Sequence, residues 1–318
     1  MKSAHKLAVC CLNISEGSHL ELINEVAQAA VERQDQWPST TPSPFKCKST
    51  VLSVYSDRSF NRGNITIASS IEHLAKSVYH ACAKVFQTID LQKHSDVGHP
   101  RLGAVDLIPI HPISPQTSLQ DCAGVAHQIA DLITTNIPGS SLFYFGKADH
   151  KERDLVQRRK EMSWFTKDSE ISRQIIPDVG TYSPKYGISA IGAIPYMSVL
   201  NVLLDTDDLV FGRFIASEIR QRNINGLDGI QAMAFLKGRK VEIACNVDTN
   251  DLQSKLPVFK TSFEDLESRI ASLAREKNVR ICGESVRGFT PQEAYMKAEQ
   301  ALLSGDVCPW KHYEIDVM

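Results

Sequence analysis

Residues 7–33 read LAVCCLNISEGSHLELINEVAQAAVER, a pattern typical of a β-strand, a polar turn and an amphipathic helix in succession. The apolar run at 7–12 predicts a short buried strand, and apolar residues at helical spacing over 19–33 predict the helix. Ser18, with Glu21 three residues later, has the capping-box pattern that starts a helix. The chain therefore opens with a strand-helix unit.

The later predicted elements repeat this alternation. In the first half we expect, in order, strand 50–55, strand 63–68, helix 70–89, strand 104–110, helix 119–134 and strand 141–145. In the second half we expect strand 198–204, helix 208–222, strands 229–236 and 240–246, helix 263–277, strand 279–284 and helix 291–304.

Both halves show the strand-helix-strand-strand-helix-strand order that is called ferredoxin-like. We predict an α/β protein of the α+β type, with two similar subdomains that each form a mixed β-sheet with helices on one face. We place the junction near residue 178, so that the N-terminal subdomain spans 1–178 and the C-terminal subdomain spans 179–318.

The composition argues against several classes of function. With 318 residues, 42% hydrophobic, 23% charged and a formal net charge of −2, the chain can form real cores but has no global field for nucleic acid or anionic lipid. The first apolar run is too short for a signal peptide, and no run reaches the about 18 residues of a membrane span. We expect a soluble cytoplasmic protein with neither a nucleic-acid nor a membrane partner.

The eight cysteines lie mostly inside predicted strands and helices, which favours buried free thiols in a reducing compartment. Cys-x-x-Cys, His-x-x-x-His and His-Glu-x-x-His spacings are absent from the sequence, so we expect no metal site.

Residues 94–106 read HSDVGHPRLGAVD and carry the strongest candidate for chemistry. Pro100 favours an extended backbone at His99, which places Arg101 on the same side, and Gly103 permits close approach by another group. Histidine changes protonation near neutral pH, so His99 beside a fixed cation suits proton transfer. The alternative is a loop histidine bonded to backbone, with Arg101 in solvent.

Two turns offer groups for anions. The amides of 13–17, with Asn13 and Glu16, could receive an anion at a helix start, or the turn could simply cap that helix. Asn61 and Arg62 could bind a carboxylate, since Arg presents a planar fork, or could form a polar hairpin connection.

Residues 177–187 read PDVGTYSPKYG, which offers backbone donors and two tyrosine faces for a flat ring, or forms a plain linker. A charged helix is expected over 151–164, and its run Arg158-Arg159-Lys160 is typical of a solvated face.

Taken in order, these segments resemble the formiminotransferase domain family, the N-terminal part of formimidoyltransferase-cyclodeaminase. The family's opening turn, Pro-Asn-Phe-Ser-Glu-Gly, is similar to residues 12–17, and its Asn-Arg pair is similar to Asn61-Arg62. Its most specific motif, His-Pro-Arg-Met/Leu-Gly-Ala-x-Asp, is matched in full by residues 99–106. The resemblance extends over nearly the whole chain.

The resemblance implies a homodimer of two-subdomain chains with a folate-binding channel between the subdomains. It implies transfer of a formimino group from N-formimino-L-glutamate to tetrahydrofolate, as in one-carbon metabolism and histidine degradation, with tetrahydrofolate as co-substrate. We expect the cyclodeaminase domain to be absent. His99 would be the general acid/base. The folate-binding stretch would be Gly180, Thr181, Tyr182, Ser183, Pro184, Lys185, Tyr186 and Gly187, and further contacts would come from Asn13, Glu16, Asn61, Arg62 and Arg101.

The sequence departs from the family pattern at a few positions. Ser53 or Tyr55 stands where an acidic residue is often found, Gly98 where Glu often precedes the motif histidine, and Ile194 where an arginine usually follows Gly-Ala. Two alternatives therefore stay open: a 5-formyltetrahydrofolate-glutamate formyltransferase, and a non-catalytic folate-binding protein. The intact His99-Pro100-Arg101 sequence favours an enzyme, and the missing arginine favours the binding protein.

Overall fold

The computed structural model describes residues 5–40, 42–94, 101–162, 176–250, 258–310 and 312–315. The chain divides into two compact units, Met1–Ile194 with Tyr295–Asp316, and Pro195–Ala294 with Val317–Met318. Each unit holds its own sheet and its own helices. The predicted α/β class with two subdomains is confirmed.

The elements of the first unit follow the expected alternation and add short strands to it. In chain order they are strand β1 (Leu7–Ile14), helix α1 (Leu20–Ala29), β2 (Ser49–Asp57), β3 (Arg62–Ser70), α2 (Ile71–Thr88), β4 (Val105–Pro112), α3 (Leu119–Asn136), β5 (Ser141–Gly146), α4 (Leu155–Glu161), β6 (Val179–Gly180) and β7 (Ser189–Ala193).

The second unit repeats the alternation. Its elements are β8 (Met197–Leu204), α5 (Leu209–Ile219), β9 (Ile230–Lys237), β10 (Lys240–Asn250), β11 (Val258–Phe259), α6 (Phe263–Arg275), β12 (Ile281–Arg287) and the start of α7 (Pro291–Ser304). The end of α7 and strand β13 (His312–Ile315) belong to the first unit. There the Leu302 carbonyl accepts a hydrogen bond from the Lys46 amide at 2.9 Å.

The first sheet has the strand order β13-β2-β3-β1-β4-β7-β5-β6. Strand β1 runs antiparallel to both neighbours, and Cys10 is paired with Ile67 on β3 and with Ile110 on β4. Strands β4, β7 and β5 run parallel. These directions bring the ends of β1 and β2 and the starts of β3, β4 and β7 to one edge of the sheet, which we call the loop edge.

Apolar side chains from the strands and helices fill the core of each unit. In the first unit fully buried Ile67 and Ile110 belong to one cluster with Val78 of α2 and Ile129 of α3. In the second unit β11-β10-β8-β12 form the sheet and β9 adds to β10, with Ile215 of α5 and Ile270 of α6 in its core. Such burial of apolar area is the main favourable term in folding.

The first unit continues beyond the junction that we expected near residue 178. Strand β6 pairs with β5, and β7 lies between β4 and β5. The Ile188 amide donates to the Leu102 carbonyl at 2.9 Å, so this segment already belongs to the first sheet. The contact boundary therefore falls at Ile194, because residues 179–194 complete hydrogen bonds that the strands before them need.

The cysteines are free, and Cys10, Cys47, Cys82, Cys122 and Cys245 are buried as expected, whereas Cys282 and Cys308 are exposed. Burial raises the pKa of the Cys11 thiol to about 11, so it is protonated at neutral pH. None of the described helices is both long and apolar enough to cross a membrane.

We predict that Ile67→Ala lowers the free energy of unfolding by about 2–5 kcal/mol, because it removes buried atoms and leaves a cavity. The matched control is Ile176→Ala in the same unit, where the side chain is 82% exposed and the change should stay within about 0.5 kcal/mol. Urea unfolding measures both, and equal losses would contradict the core assignment.

Candidate active site

Four loops meet at the loop edge of the first sheet. The Ser15 amide donates to the Ala104 carbonyl at 2.9 Å, and the Ala104 amide donates to the Tyr186 carbonyl at 2.9 Å. The Gly17 amide donates to Asn61 Oδ1 at 2.8 Å. Two backbone hydrogen bonds and one to a side chain thus join the described parts of all four segments that the sequence singles out.

Glycines make the closest of these approaches possible. Gly187 has φ +66°, and a Cβ there would lie 1.9 Å from the Leu102 carbonyl oxygen. A Cβ on Gly103 would lie 2.5 Å from the Ile188 carbonyl oxygen. Gly103 and Gly187 form an isolated antiparallel β-bridge with each other. The close approach that the sequence predicts at Gly103 is therefore confirmed.

The Glu16 carboxylate binds the two backbone amides just before helix α1. Its Oε1 accepts from the amides of Ser18 at 2.7 Å and His19 at 3.0 Å, and its Oε2 lies 3.1 Å from His19 Nδ1. Burial raises the pKa of Glu16, but these hydrogen bonds outweigh it and the net shift is downward. The expectation that Ser18 caps this helix was wrong: His19 takes the N-cap position, no described side chain bonds the amides of the first helical turn, and the Glu16 carboxylate bonds the amides of Ser18 and His19 just before it.

Asn61 joins the first turn to the β2–β3 connection. It has φ +45°, and its Oδ1 accepts from the Gly17 amide and, at 3.2 Å, from Ser18 Oγ. Asn13 donates within its own strand, to the Cys11 carbonyl at 3.0 Å. The amides at 17–19 are therefore occupied by side chains of this unit rather than open to an anion.

Arg62 forms a buried ion pair with Asp106, the last residue of the eight-residue motif. Arg62 Nη2 lies 2.7 Å from Asp106 Oδ2, and the two side chains are 14% and 2% exposed. Asp106 Oδ1 accepts from the amides of Leu102 at 2.7 Å and Gly103 at 3.4 Å. Burial raises the pKa of Asp106, but the charges of Arg62 and Arg159 and these hydrogen bonds bring it below its ordinary value.

Residues 180–187 form a compact turn against the sheet. Gly180 has φ +82°, and the Thr181 amide donates to the Ser140 carbonyl at 2.9 Å. The Ser183 carbonyl accepts from the amides of Tyr186 at 3.1 Å and Gly187 at 2.8 Å. Thr181 and Pro184 are exposed, and Tyr182 packs against the apolar cluster around Phe143.

Tyr186 and Lys185 extend this turn toward the core and the surface respectively. The Tyr186 ring meets Phe86 edge-on with centroids 5.0 Å apart. Lys185 Nζ lies 5.0 Å from the centre of the Tyr186 ring. The Tyr186 ring is thus packed against α2, and the Lys185 cation lies over it.

His99 and Pro100 lie outside the described residues, and Arg101 is the first described residue after them. His94 was not among the predicted catalytic or binding residues, and it interacts electrostatically with Arg101 and Glu16. Burial and Arg101 lower the pKa of His94, and Glu16 opposes that shift. Among the described residues, no group hydrogen-bonds the buried Nδ1 of His94.

Helix α4 supplies two arginines that sequence reasoning missed. Arg158 is buried: it donates to the Tyr144 carbonyl at 3.0 Å and to Asp178 Oδ2 at 2.7 Å. Arg159 acts electrostatically on both Asp106 and Arg62, and burial lowers its pKa to about 10. The expectation of a solvated face was wrong here, because a charge run in one sequence carries no sign of a buried partner.

The described residues contain no group of three or more His, Cys, Asp or Glu side chains that could hold a metal ion.

Comparisons with known proteins bear on this site. A family model described as the formiminotransferase domain, N-terminal subdomain, matches residues 7–194. Ile194 is also the last residue of the N-terminal stretch of the first unit. The chain belongs to this family. The predicted resemblance and the assignment to the transferases are confirmed.

Individual relatives agree with the family match. The chain is 27% identical to a formiminotransferase cyclodeaminase-like protein of Arabidopsis thaliana, with 90% of this chain and 94% of that one aligned. It is 26% identical to a glutamate formimidoyltransferase of Streptococcus pyogenes serotype M1, with 94% and 93% aligned. It is 26% identical to a formimidoyltransferase-cyclodeaminase of Gallus gallus, where the alignment covers 93% of this chain but 52% of that protein.

We predict that Gly187→Ala lowers the free energy of unfolding by about 2 kcal/mol or more, because the new Cβ would meet the Leu102 carbonyl oxygen and the backbone φ at this position is positive. Gly124→Ala is the matched control, since a Cβ there on helix α3 meets nothing within 4 Å and should be neutral or stabilising. The melting temperatures of both variants are measured by thermal unfolding. Similar melting temperatures would contradict the close contact between Gly187 and Leu102.

We predict that Asp106→Asn costs about 3–5 kcal/mol at pH 7, because it leaves a buried cation without its carboxylate. The folded-state pKa of Asp106 is lowered, so its contribution is present above the unfolded pKa of about 4 and is lost as the pH falls below it. Urea unfolding from pH 7 to pH 3 should therefore show the difference from wild type shrinking. A difference that stays constant would contradict the ion pair.

Proposed function

We propose that this protein transfers a formimino group from N-formimino-L-glutamate to tetrahydrofolate, with His99 as general acid/base. The observation that carries the proposal is the meeting of the family's motif segments at one sheet edge, around the Arg62–Asp106 ion pair. The relatives named glutamate formimidoyltransferase support the same reaction.

The charges of the loop edge suit the proposed substrates. Both substrates carry carboxylates, whereas the whole chain has a formal net charge of −2, so anions need local cations. Arg62, Arg101 and Lys185 belong to the segments that meet there. We propose these residues as the cations, and the turn of 180–187 as the folate-binding stretch, with Tyr182 and Tyr186 offering aromatic surface to the flat ring.

The proposed reaction needs one proton to move between two amines. N5 of tetrahydrofolate attacks the formimino carbon and forms a tetrahedral adduct. The bond from that carbon to the glutamate nitrogen then breaks, and glutamate leaves as its amine. His99 accepts the proton that N5 loses and donates one to the departing nitrogen, a role that typically contributes roughly 10²–10⁴-fold.

One assay tests the reaction against its alternatives. Purified protein is incubated with tetrahydrofolate and N-formimino-L-glutamate, or with 5-formyltetrahydrofolate and glutamate, and the products are identified by mass spectrometry. Formimino transfer supports the proposal. Formyl transfer alone would replace it with the formyltransferase, and folate binding without either turnover would replace it with a binding protein.

We predict that His99→Ala lowers kcat by at least about 100-fold and leaves folate binding largely intact, because the variant loses the proton carrier but no binding surface. His127→Ala, at an exposed histidine on α3 of the same unit, is the matched control and should retain full turnover. Wild-type turnover in the His99 variant would refute its assigned role.

A cytoplasmic homodimer belongs to the same proposal. Light scattering on the purified protein measures the oligomeric state, and a monomer with full turnover would remove the dimer from the proposal.

A further inference from the structure

Arg158 of helix α4 uses all three nitrogens of its guanidinium within the first unit. Its Nε donates to the Tyr144 carbonyl at 3.0 Å, Nη1 donates to Glu161 Oε2 at 2.7 Å, and Nη2 donates to Asp178 Oδ2 at 2.7 Å. Arg158 is only 3% exposed, and its Cζ lies 5.2 Å from the centre of the Phe143 ring. A buried cation is stable only with such partners, so Arg158 fixes the elements that supply them.

Asp178 continues the pairing of β5 beyond the short strand β6. Strand β6 has two residues, Val179–Gly180, and Pro177 has no amide with which to extend it. The Asp178 amide donates to the Leu142 carbonyl at 3.0 Å, and Asp178 Oδ2 accepts from the Tyr144 amide at 2.7 Å. The carboxylate therefore takes the role that a backbone carbonyl would have in a longer strand.

We propose that Arg158 is a positioning residue that holds the turn of 180–187 through Asp178. The turn begins two residues after Asp178, and the Thr181 amide donates to the Ser140 carbonyl just before β5 at 2.9 Å. The attachment of Asp178 to β5 and α4 therefore sets where the turn begins. The effect on folate binding rests on the proposed function, whereas the fixing of the turn does not.

The aromatic contact of the guanidinium gives a second link to the turn. Arg158 lies over the Phe143 ring, and Phe143 belongs to the cluster against which Tyr182 packs. Tyr182 is one of the two tyrosines that we propose to offer aromatic surface to the folate ring. Arg158 thus acts on the turn at its start, through Asp178, and on one of its aromatic side chains, through the cluster.

The charge of Arg158 makes this attachment stronger than the short strand alone. Strand β6 lies at the end of the strand order in its sheet and has a single neighbour, β5, among the described strands. A two-residue edge strand makes few backbone hydrogen bonds, whereas a bond between guanidinium and carboxylate is charge-assisted and stronger. Lysine would keep the charge but has no planar fork with which to bind three partners at once.

The main test compares Asp178→Asn with Glu161→Gln, because each replaces one carboxylate that binds Arg158. We expect Asp178→Asn to raise the KM for tetrahydrofolate and the Kd for folic acid by about 10-fold or more, with kcat within about threefold of wild type. A turn that must be ordered on binding weakens the ground state and the transition state alike. Calorimetry with folic acid and steady-state kinetics measure these quantities.

Glu161→Gln is the matched control and should resemble wild type, since Glu161 binds Arg158 and Arg153 rather than the turn. Equal changes in both variants would show that Arg158 only anchors the helix and would overturn the positioning role. A fall in kcat at unchanged KM in Asp178→Asn would overturn it as well.

A double-mutant cycle tests whether Arg158 acts through Asp178. Arg158→Met should raise the Kd for folic acid, and adding Asp178→Asn should change it little further, because the pair is already broken. Arg158→Lys should recover part of the affinity, since it keeps the charge, and it replaces Arg158→Met in the cycle if that variant does not fold. Independent effects, in which the two changes in Kd multiply, would refute the proposal.

Hydrogen exchange gives a readout that needs no turnover. The Thr181 amide should exchange faster in Asp178→Asn and in the Arg158 variant than in wild type, while the amides of helix α3 keep their wild-type rates. Unchanged exchange at Thr181 would overturn the positioning role even if formimino transfer is found. Faster exchange there in a protein that neither transfers the formimino group nor binds folic acid would refute the proposed function and support the fixing of the turn.

Discussion

The Asp106 carboxylate is the group on which the loop edge depends. It is a buried charge, and removing an ion from water costs several kcal/mol unless partners replace the solvent. Here the partners are a guanidinium from β3 and two amides from the segment before β4. Both sets of donors bond the same carboxylate, so it links the start of β3 to the segment before β4.

The sheet makes this meeting possible through its strand directions. Strand β1 runs antiparallel to β3 and β4, so its end lies beside their starts, and β7 runs parallel to β4 and begins at the same edge. Loops that are distant in sequence then come within hydrogen-bond distance. The backbones approach so closely that a side chain would not fit at Gly103 or at Gly187.

Regular helices and strands were predictable from the sequence because their apolar residues recur at a characteristic spacing. The strand at 7–12 and the helix beginning near residue 70 were found from apolar spacing, and both exist. The two-residue strand β6 and the five-residue β7 are too short to show a period, so the junction was placed too early, near 178 rather than at Ile194. The eight-residue motif predicts the segment of the candidate site because its order of residues is specific, not because any one residue is.

The side-chain partners were less predictable, since they depend on contacts between distant residues. Ser18 has the capping-box pattern, but the helix begins one residue later, and the amides of Ser18 and His19 bond the Glu16 carboxylate. Arg159 reads as one charge in a charged run until the fold brings Asp106 near it. Within the same run Arg158 is buried and donates to the Tyr144 carbonyl, whereas Lys160 is exposed. The loop edge therefore gains a cation from a helix whose sequence carries no motif, and the electrostatics of the site extend beyond the segments by which its family is recognised.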